Sequence, residues 1–175
     1  MAFIRPATVT DAPGIAVVHV ESWRAAYRGL LPQVVLDGLS VDRRATSWRD
    51  SIGAGDGHTL VAVDEPSGRV CGFVNVGPSR DPDAANSDTT SSIGELRAIY
   101  LLPDAWGTGT GRRLHDAALE LLRPDFAEAT LWVLDTNVRA RAFYERMGWY
   151  DDGVTKNDDR GGVVLSEIRY RRALP

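Results

Sequence analysis

The sequence contains a single cysteine, Cys71, so no disulfide can form within the chain. A lone cysteine in an apolar run predicts a buried structural thiol. No apolar run reaches the roughly 18 residues that a membrane-spanning helix needs. The N-terminus lacks a basic region followed by an apolar stretch, which a signal peptide requires. These absences predict a cytoplasmic protein that does not associate with membranes.

The chain also lacks an excess of positive charge, since its formal net charge is −4. A nucleic-acid partner is therefore not expected, because such partners attract a basic surface. No group of histidine, cysteine and acidic residues has the spacing of metal ligands, so no metal site is predicted. The chain has 175 residues, 43% of them apolar, which predicts one domain spanning residues 1–175 with a substantial core.

The strongest functional signal lies in residues 96–114, which combine an apolar strand, a turn closed by Pro103, a glycine-rich loop and a helix. Glycines and threonines alternate in the loop: Gly107, Thr108, Gly109, Thr110 and Gly111. Glycine allows positive φ and the close approach of a ligand to the backbone. The loop leads into a helix N-terminus, whose free N–H groups attract anions. This arrangement, with Arg112 at its mouth, predicts a phosphate- or pyrophosphate-binding turn.

Other classes of glycine-rich turn remain as alternatives. A nucleoside-triphosphate loop needs a lysine after its last glycine, and none follows Gly111. A dinucleotide fingerprint has the spacing Gly-x-Gly-x-x-Gly near the start of an open sheet. The glycines here stand one residue too close together and well past mid-chain, so only glycine content favours a nicotinamide or flavin protein. A structural turn without a ligand is the simplest alternative.

The hexapeptide from Trp106 to Gly111 resembles the Arg/Gln-x-x-Gly-x-Gly/Ala motif of the GCN5-related N-acetyltransferase (GNAT) family. Residues 131–149 are similar to the second core block of that family, and residues 20–32 are similar to its first helices. The resemblance therefore covers nearly the whole chain. Trp106 is a departure, because it stands where the motif usually has Arg or Gln. One side-chain contact to phosphate is lost, but the backbone cradle is not.

Hydrophobic periodicity predicts an α/β (α+β) fold. The resemblance implies that this fold is a single GNAT-like domain with flanking helices. The predicted strands are 2–7, 58–64, 70–76, 93–102, 129–135 and a closing hairpin of 149–154 and 162–171. The predicted helices are 12–27, 41–51, 112–122 and 137–147. Polar loops are predicted at 78–92 and 155–161. The sheet should be mixed and mostly antiparallel, with strands 93–102 and 129–135 parallel because a crossover helix joins them.

The resemblance implies that this parallel pair is splayed and that the slot between its strands holds the pantetheine arm of acetyl-CoA. By position, Ile99, Tyr100 and Leu101 would hydrogen-bond to that arm, and Asn137 would also contact it. The pyrophosphate cradle would consist of Gly107, Thr108, Gly109, Thr110, Gly111 and Arg112. A free backbone N–H near Ile99 would polarise the thioester carbonyl, as donors aimed at a developing oxyanion do.

Tyr144 is the predicted general acid, because it stands seven residues after Asn137, where the family carries that group. A free thiol has a pKa of about 8.5 and a phenol one of about 10, so tyrosine stays protonated and can donate to the leaving sulfur. The alternative is that Tyr144 only belongs to the apolar stripe of its helix.

Glu95 is the predicted base, accepting a proton from the attacking amine through a water molecule. An exposed charge at a strand end is the alternative. Some family members have an acid five residues before the asparagine, but here that residue is Trp132. The other candidates are His58, His115, predicted on the surface of the crossover helix, and His19, predicted at the substrate end of the first helix.

The acceptor site is predicted to include Trp23 and Tyr27, although core packing is an alternative role for Trp23. An acidic run formed by Asp151, Asp152, Asp158 and Asp159 either attracts a cationic amine or is a solvated loop.

The predicted activity is transfer of an acetyl group from acetyl-CoA to a primary amine of a small molecule, a protein N-terminus or a lysine. The alternative is a non-catalytic acetyl-CoA-binding regulatory module. An edge strand in the closing hairpin makes a homodimer an expectation.

Overall fold

The computed structural model describes residues 2–82, 93–159 and 162–175. Seven strands form one sheet in the order β1-β2-β3-β4-β5-β7-β6. The strands are β1 (Ala2–Pro6), β2 (His58–Asp64), β3 (Val70–Pro78), β4 (Gly94–Leu101), β5 (Glu128–Leu134), β6 (Tyr150–Asp159) and β7 (Val164–Ala173). The helices are α1 (Ala12–Ala26), α2 (Gln33–Asp37), α3 (Val41–Ala54), α4 (Thr110–Leu122) and α5 (Val138–Arg146). The predicted fold class is confirmed.

Strands β4 and β5 form the parallel pair of the otherwise antiparallel sheet, as predicted. They pair only at Gly94 with Ala129 and at Glu95 with Thr130, and then diverge. On its other side β4 pairs with β3, and that register skips Arg97, which makes a β-bulge. A bulge bends its strand and increases the local twist. The bulge therefore lies two residues beyond the last paired residue, where the slot between β4 and β5 opens.

Both faces of the central strands are covered, which explains their continuous apolar sequences. Leu114 and Ala118 of α4 belong to one buried cluster, together with Val74 and Val76 of β3. On the opposite face, α1 contributes to a second cluster that contains Phe73 of β3. Strand β3 is thus buried on both faces, as strands inside an α/β layer usually are. This burial fixes the neighbouring strand β4, whose free edge borders the slot.

The structure corrects the prediction of a polar loop at 155–161. Its first five residues, 155–159, continue β6 and pair with β7 from Ile168 to Val164. Strand β6 is an exposed edge strand, so its side chains need no apolar alternation, and the sequence pattern gives no strand signal there. The short helix α2 was also not anticipated. Of the predicted loop 78–92, residues 83–92 lie outside the described residues.

Candidate active site

The slot between β4 and β5 opens into a cavity of about 820 Å³. Most of the predicted site residues line it: Trp23, Tyr27, Glu95, Ile99, Tyr100, Leu101, Gly107, Gly109, Gly111, Arg112, Asn137 and Tyr144. The glycine-rich loop follows β4, so the cavity extends from the paired ends of the two strands toward that loop. Ligands of open α/β sheets bind at this end of parallel strands.

The glycine-rich loop has the geometry of an anion cradle. Gly107 and Gly109 have φ values of +74° and +86°, and a Cβ added at either would meet no atom within 4 Å. Gly109 is the residue immediately before α4 and therefore lies at the helix N-terminus. Here the backbone requires glycine, while the space beside it stays open. A phosphate can approach the free N–H groups of the first helical turn through that space.

The side chains of the two loop threonines, Thr108 and Thr110, have a structural role. The hydroxyl of Thr108 donates to the carbonyl oxygen of Ala105 at 2.8 Å and lies 2.9 Å from the hydroxyl of Thr110. Neither threonine lines the cavity, unlike the three glycines. Only the backbone of Thr108 and Thr110 is therefore available to a ligand. Arg112 is exposed at the cavity mouth, with its Nε 3.7 Å from Asp116.

Arg139 at the cavity mouth was missed by the sequence reasoning. Its guanidinium carbon lies 3.8 Å from the ring centroid of Trp106, within the range of a cation–π contact. The indole of Trp106 donates to the carbonyl oxygen of Leu101 at 3.0 Å, which fixes the ring. Trp106 stands where the motif usually has Arg or Gln, and its ring holds the guanidinium of Arg139 close to that position. The separation of the two residues in sequence gave no signal for this contact.

Tyr144 lies in the wall of the cavity and is 8% exposed. Burial raises the pKa of its hydroxyl well above the ordinary value for a phenol, and the neighbouring Tyr100 adds to this effect. The hydroxyl is therefore a proton donor at neutral pH. Helix α5 begins at Asn137, whose side-chain oxygen accepts from the backbone N–H of Ala140 at 3.1 Å. This N-cap fixes the helix that carries Tyr144.

Glu95 is buried, which rules out the alternative of an exposed strand-end charge. It is 9% exposed and forms the last parallel pair before β4 and β5 separate. Its Oε2 accepts from the backbone N–H of Arg80 at 3.0 Å. That contact leaves carboxylate lone pairs available, and the residue lines the cavity. The structure thus places a carboxylate at the closed end of the slot.

Trp23 and Tyr27 form an aromatic wall on the α1 side of the cavity. Their ring centroids are 4.9 Å apart with an edge-to-face geometry. Trp23 also belongs to a buried apolar cluster with Leu36, so it both packs in the core and borders the cavity. Burial raises the pKa of Tyr27, and a hydrogen bond to Asn137 partly offsets that effect. Tyr27 is therefore a neutral phenol.

Asp81, Trp132 and Lys156 are among the further residues of the cavity wall that were not predicted. Asp81 accepts from the indole N–H of Trp132 at 2.9 Å, and Arg169 lies 3.3 Å from its other oxygen. Asp81 and Trp132 stand far apart in the sequence, so no local pattern could pair them. The carboxylate of Asp81 therefore contacts Trp132, which stands at the position where some family members have an acid. Lys156 lies over the same indole ring.

Only one residue of the acidic run lines the cavity. Asp158 lines the cavity, whereas Asp151, Asp152 and Asp159 do not. Asp152 is instead held by Arg169 and Arg171 at 2.9 and 3.1 Å. The interpretation as a single solvated loop is wrong, because these residues belong to β6.

None of the three histidines lines the cavity. The prediction that His115 lies on the surface is wrong, since it is 1% exposed and its Nε2 accepts from the indole of Trp149 at 2.9 Å. Burial lowers the pKa of His115, so the ring is neutral and serves packing. His19 is also buried, stacks on Tyr100 and accepts from the indole of Trp48 at 3.2 Å. His58 begins β2 on the exposed surface.

Cys71 is buried, as predicted, and burial raises the pKa of its thiol. Throughout residues 2–82, 93–159 and 162–175, no cluster of three or more histidine, cysteine or acidic side chains has the geometry to hold a metal ion. Within the same ranges, none of the helices is both long enough and apolar enough to cross a membrane.

Comparisons with known proteins identify relatives along almost the whole chain. The model of the acetyltransferase (GNAT) family matches residues 20–149. An uncharacterized N-acetyltransferase of Bacillus subtilis is 36% identical over 170 residues, which cover 96% of this chain and 91% of the relative. A probable N-acetyltransferase of Mycobacterium tuberculosis is 29% identical over 171 residues, covering 96% of this chain and 91% of the relative.

Solved structures have the same fold at lower sequence identity. The PaiA N-acetyltransferase of Thermoplasma acidophilum, in complex with coenzyme A, matches with a TM-score of 0.76 at 17% identity and covers 99% of both chains. The acetyltransferase YncA of Salmonella typhimurium, with acetyl-CoA, matches with a TM-score of 0.71 at 17% identity, covering 100% of this chain and 95% of that one. The splayed strand pair, the glycine-rich loop and these relatives lead to one conclusion: the chain belongs to the GNAT family of N-acetyltransferases.

Proposed function

We propose that the cavity binds acetyl-CoA and that the protein transfers its acetyl group directly to a primary amine in a ternary complex. The observation that carries this proposal is the splayed pair of β4 and β5, with Glu95 at its closed end and the anion cradle beyond its open end. Structures with this fold include one in complex with coenzyme A and one with acetyl-CoA. Their fold supports the same donor here.

The cofactor would extend along the free edge of β4. On the opposite edge, Ile99, Tyr100 and Leu101 pair with β3, which holds the strand in place. Backbone groups alternate sides along a strand, and those of Tyr100 face β3, so the groups of Ile99 and the N–H of Leu101 would hydrogen-bond to the pantetheine arm. Asn137 would contact the arm from α5. The pyrophosphate would occupy the space beside Gly107 and Gly109. Arg139 would supply the positive charge that the motif loses at Trp106.

The chemistry needs one group that accepts a proton and one that donates. An alkyl ammonium with a pKa of about 10.4 must lose a proton before its nitrogen can attack the thioester. We assign that role to Glu95, acting through a water molecule. Tyr144 would donate a hydrogen bond to the sulfur as the carbon–sulfur bond breaks. A backbone N–H near Ile99 would stabilise the oxyanion, an interaction that contributes about 2.7–4 kcal/mol in comparable enzymes.

The acceptor would enter from the side of Trp23 and Tyr27. Carboxylates, Asp81 and Asp158 among them, and cations both line the cavity, so its charge does not select one class of amine. Both a small molecule and a protein amine fit this description. The expected homodimer, which would use the exposed edge of β6, stays a prediction that the molar mass in solution decides.

A thermal-shift series with acetyl-CoA, CoA, NAD and ATP tests the proposed donor. At about 100 times its dissociation constant a ligand adds roughly 2.7 kcal/mol of stability. We expect acetyl-CoA and CoA alone to raise the melting temperature by several degrees. A panel of amines should then release CoA at a measurable rate. Binding without turnover on any amine would instead favour the regulatory module, and no shift with either coenzyme would refute the donor site.

Replacing Glu95 with glutamine should lower kcat/KM about 100-fold, within the usual range for a general base. The remaining activity should rise about tenfold per pH unit below the pKa of the acceptor, because the enzyme then depends on free amine in solution. Glu120→Gln is the matched control, since Glu120 is exposed on α4 outside the cavity. An unchanged pH–rate profile in Glu95→Gln would assign the proton transfer to another group.

A further inference from the structure

Lys156 is the only lysine among the 20 lysine and arginine residues of the chain. The structure places this single side-chain amine in the wall of the cavity, together with Tyr144 and Asn137. That cavity is where the proposed function requires a primary amine to attack acetyl-CoA. We propose that Lys156 is a self-acetylation site, whose Nζ accepts an acetyl group from acetyl-CoA bound to the same chain. This inference rests on the proposed donor site.

The ammonium group of Lys156 is held at the cavity by two contacts. Its Nζ lies 4.0 Å from the ring centroid of Trp132 and 3.3 Å from Oε2 of Glu167. Trp132 belongs to β5, one of the two strands that border the slot, and Glu167 is the direct cross-strand partner of Lys156. An aromatic face and a carboxylate are also the groups that bind a cationic amine acceptor. Lys156 thus occupies the kind of position that an external acceptor needs.

The contacts that hold Lys156 do not lock it in place. Its side chain is 43% exposed, and exposed ion pairs are weak because solvent screens them. The four-carbon stem of lysine is flexible, so the Nζ can leave Glu167 and turn toward the slot. A single side-chain rotation does not disturb the ladder between β6 and β7.

Other cations line the cavity, but none of them can act as the nucleophile. They are all arginines: Arg80, Arg97, Arg112, Arg139 and Arg146. A guanidinium is not deprotonated in proteins, so its nitrogens do not attack a thioester. An amine that loses its proton does. Lys156 is therefore the only cavity-lining cation in the described part of the chain that can be acetylated.

The reaction balances as a simple acyl transfer. The ammonium of Lys156 gives a proton to the carboxylate of Glu167, and the neutral Nζ attacks the carbonyl carbon of the thioester. A nitrogen–carbon bond forms, the carbon–sulfur bond breaks, and the sulfur takes a proton from the Tyr144 hydroxyl. The acylated nitrogen then loses its second proton, which restores the Tyr144 hydroxyl, and Glu167 releases the first proton to solvent. The chain gains one acetyl group and CoA leaves as the thiol. The amide product has no positive charge, so it no longer pairs with Glu167 or with Trp132 as a cation.

Intact-mass spectrometry of the full chain with acetyl-CoA tests this proposal. We expect the mass to rise by one acetyl group, with a half-time that does not depend on protein concentration. Digestion with trypsin should then no longer cut after residue 156. Lys156→Arg, which keeps the positive charge, should gain no acetyl group, and Tyr144→Phe should slow the gain at least about 100-fold, as the loss of a general acid does.

Three results would overturn the proposal: no mass gain, an acetyl group on the N-terminal amine instead, or equal rates in the parent chain and Tyr144→Phe, which indicate uncatalysed chemistry. The thermal shift and the amine panel are run on the same sample. If acetyl-CoA raises the melting temperature and the amines are acetylated but Lys156 stays unmodified, only self-acetylation is refuted. No shift with acetyl-CoA refutes the donor site, and self-acetylation with it.

Discussion

Replacing Tyr144 with phenylalanine should lower kcat at least about 100-fold, the usual contribution of a positioned proton donor. The dissociation constant for acetyl-CoA should change little, because phenylalanine keeps the buried ring and loses only the hydroxyl. Burial keeps that hydroxyl protonated through the neutral range, since it raises its pKa. The loss should therefore be the same at pH 6 and at pH 9. Steady-state kinetics with the best amine of the panel, together with a binding isotherm, separate the two effects.

Tyr170→Phe is the matched control for this experiment. The Tyr170 hydroxyl donates to Glu145 at 2.7 Å and accepts from Arg141 at 3.2 Å. Tyr170 does not line the cavity. Removing the hydroxyl should destabilise the fold by about 1 kcal/mol per lost hydrogen bond and leave kcat nearly unchanged. If Tyr144→Phe and Tyr170→Phe reduced kcat equally, Tyr144 would be a packing residue and the apolar-stripe alternative would hold.

Features encoded in neighbouring residues could be predicted from the sequence. The alternation and apolar runs of β2 and β5 set their positions, and the boundaries of β2 agree with the prediction at both ends. The glycine-rich turn was found because its alternating glycines and the helix after it are both local features, although α4 begins at Thr110, two residues before the predicted start. The parallel pairing of β4 and β5 followed from the crossover helix between them.

Contacts between distant parts of the chain could not be predicted in this way. Asp81 reaches Trp132 and Arg139 reaches Trp106 only because the sheet and the helices bring them together. His115 was assigned to the surface since a polar residue on a helix is usually exposed, but its partner Trp149 follows the next helix. The bulge at Arg97 depends on the register of two strands and leaves no pattern in either sequence.

Strand β6 shows a different limit. Periodicity detects a strand by the apolar face that it buries, and β6 is an edge strand with mostly exposed side chains and no apolar face. The run from Thr155 to Asp159 therefore looks like a loop in the sequence, although it pairs with β7 along its length. This misassignment concealed Lys156, because a lysine in a solvated loop has no reason to border a cavity. The cross-strand pairing with Glu167 sets its position.

Replacing Gly109 with valine should weaken acetyl-CoA binding at least about 100-fold, which corresponds to roughly 2.7 kcal/mol. Gly109 stands at the N-terminus of α4, and the space beside its Cα is open in the structure. A valine side chain fills the volume that the pyrophosphate would occupy, without meeting any protein atom at its Cβ. A fluorescence or calorimetric titration with acetyl-CoA measures the effect, and the melting temperature without ligand reports the cost to the fold.

Gly55→Val separates the loss of the cradle from backbone strain. Gly55 has a similar φ of +68° and an equally open Cβ position, but it ends α3 away from the cavity. Both valines should destabilise the fold by about 1–2 kcal/mol, the cost of left-handed backbone for a residue with a Cβ. Only Gly109→Val should lose affinity. Equal affinities in the two variants would mean that the glycines serve the turn alone and that the anion binds elsewhere.

Arg139→Gln separates the contribution of a side chain to acetyl-CoA affinity from that of the backbone cradle. This change leaves the loop intact and removes the guanidinium that Trp106 holds at 3.8 Å. If Arg139 replaces the missing cation of the motif, the affinity should fall about tenfold, or roughly 1.4 kcal/mol, and the remaining binding should depend less on salt. The backbone N–H groups at the start of α4 then supply the larger share of the binding energy. An unchanged affinity would leave the backbone as the whole anion site.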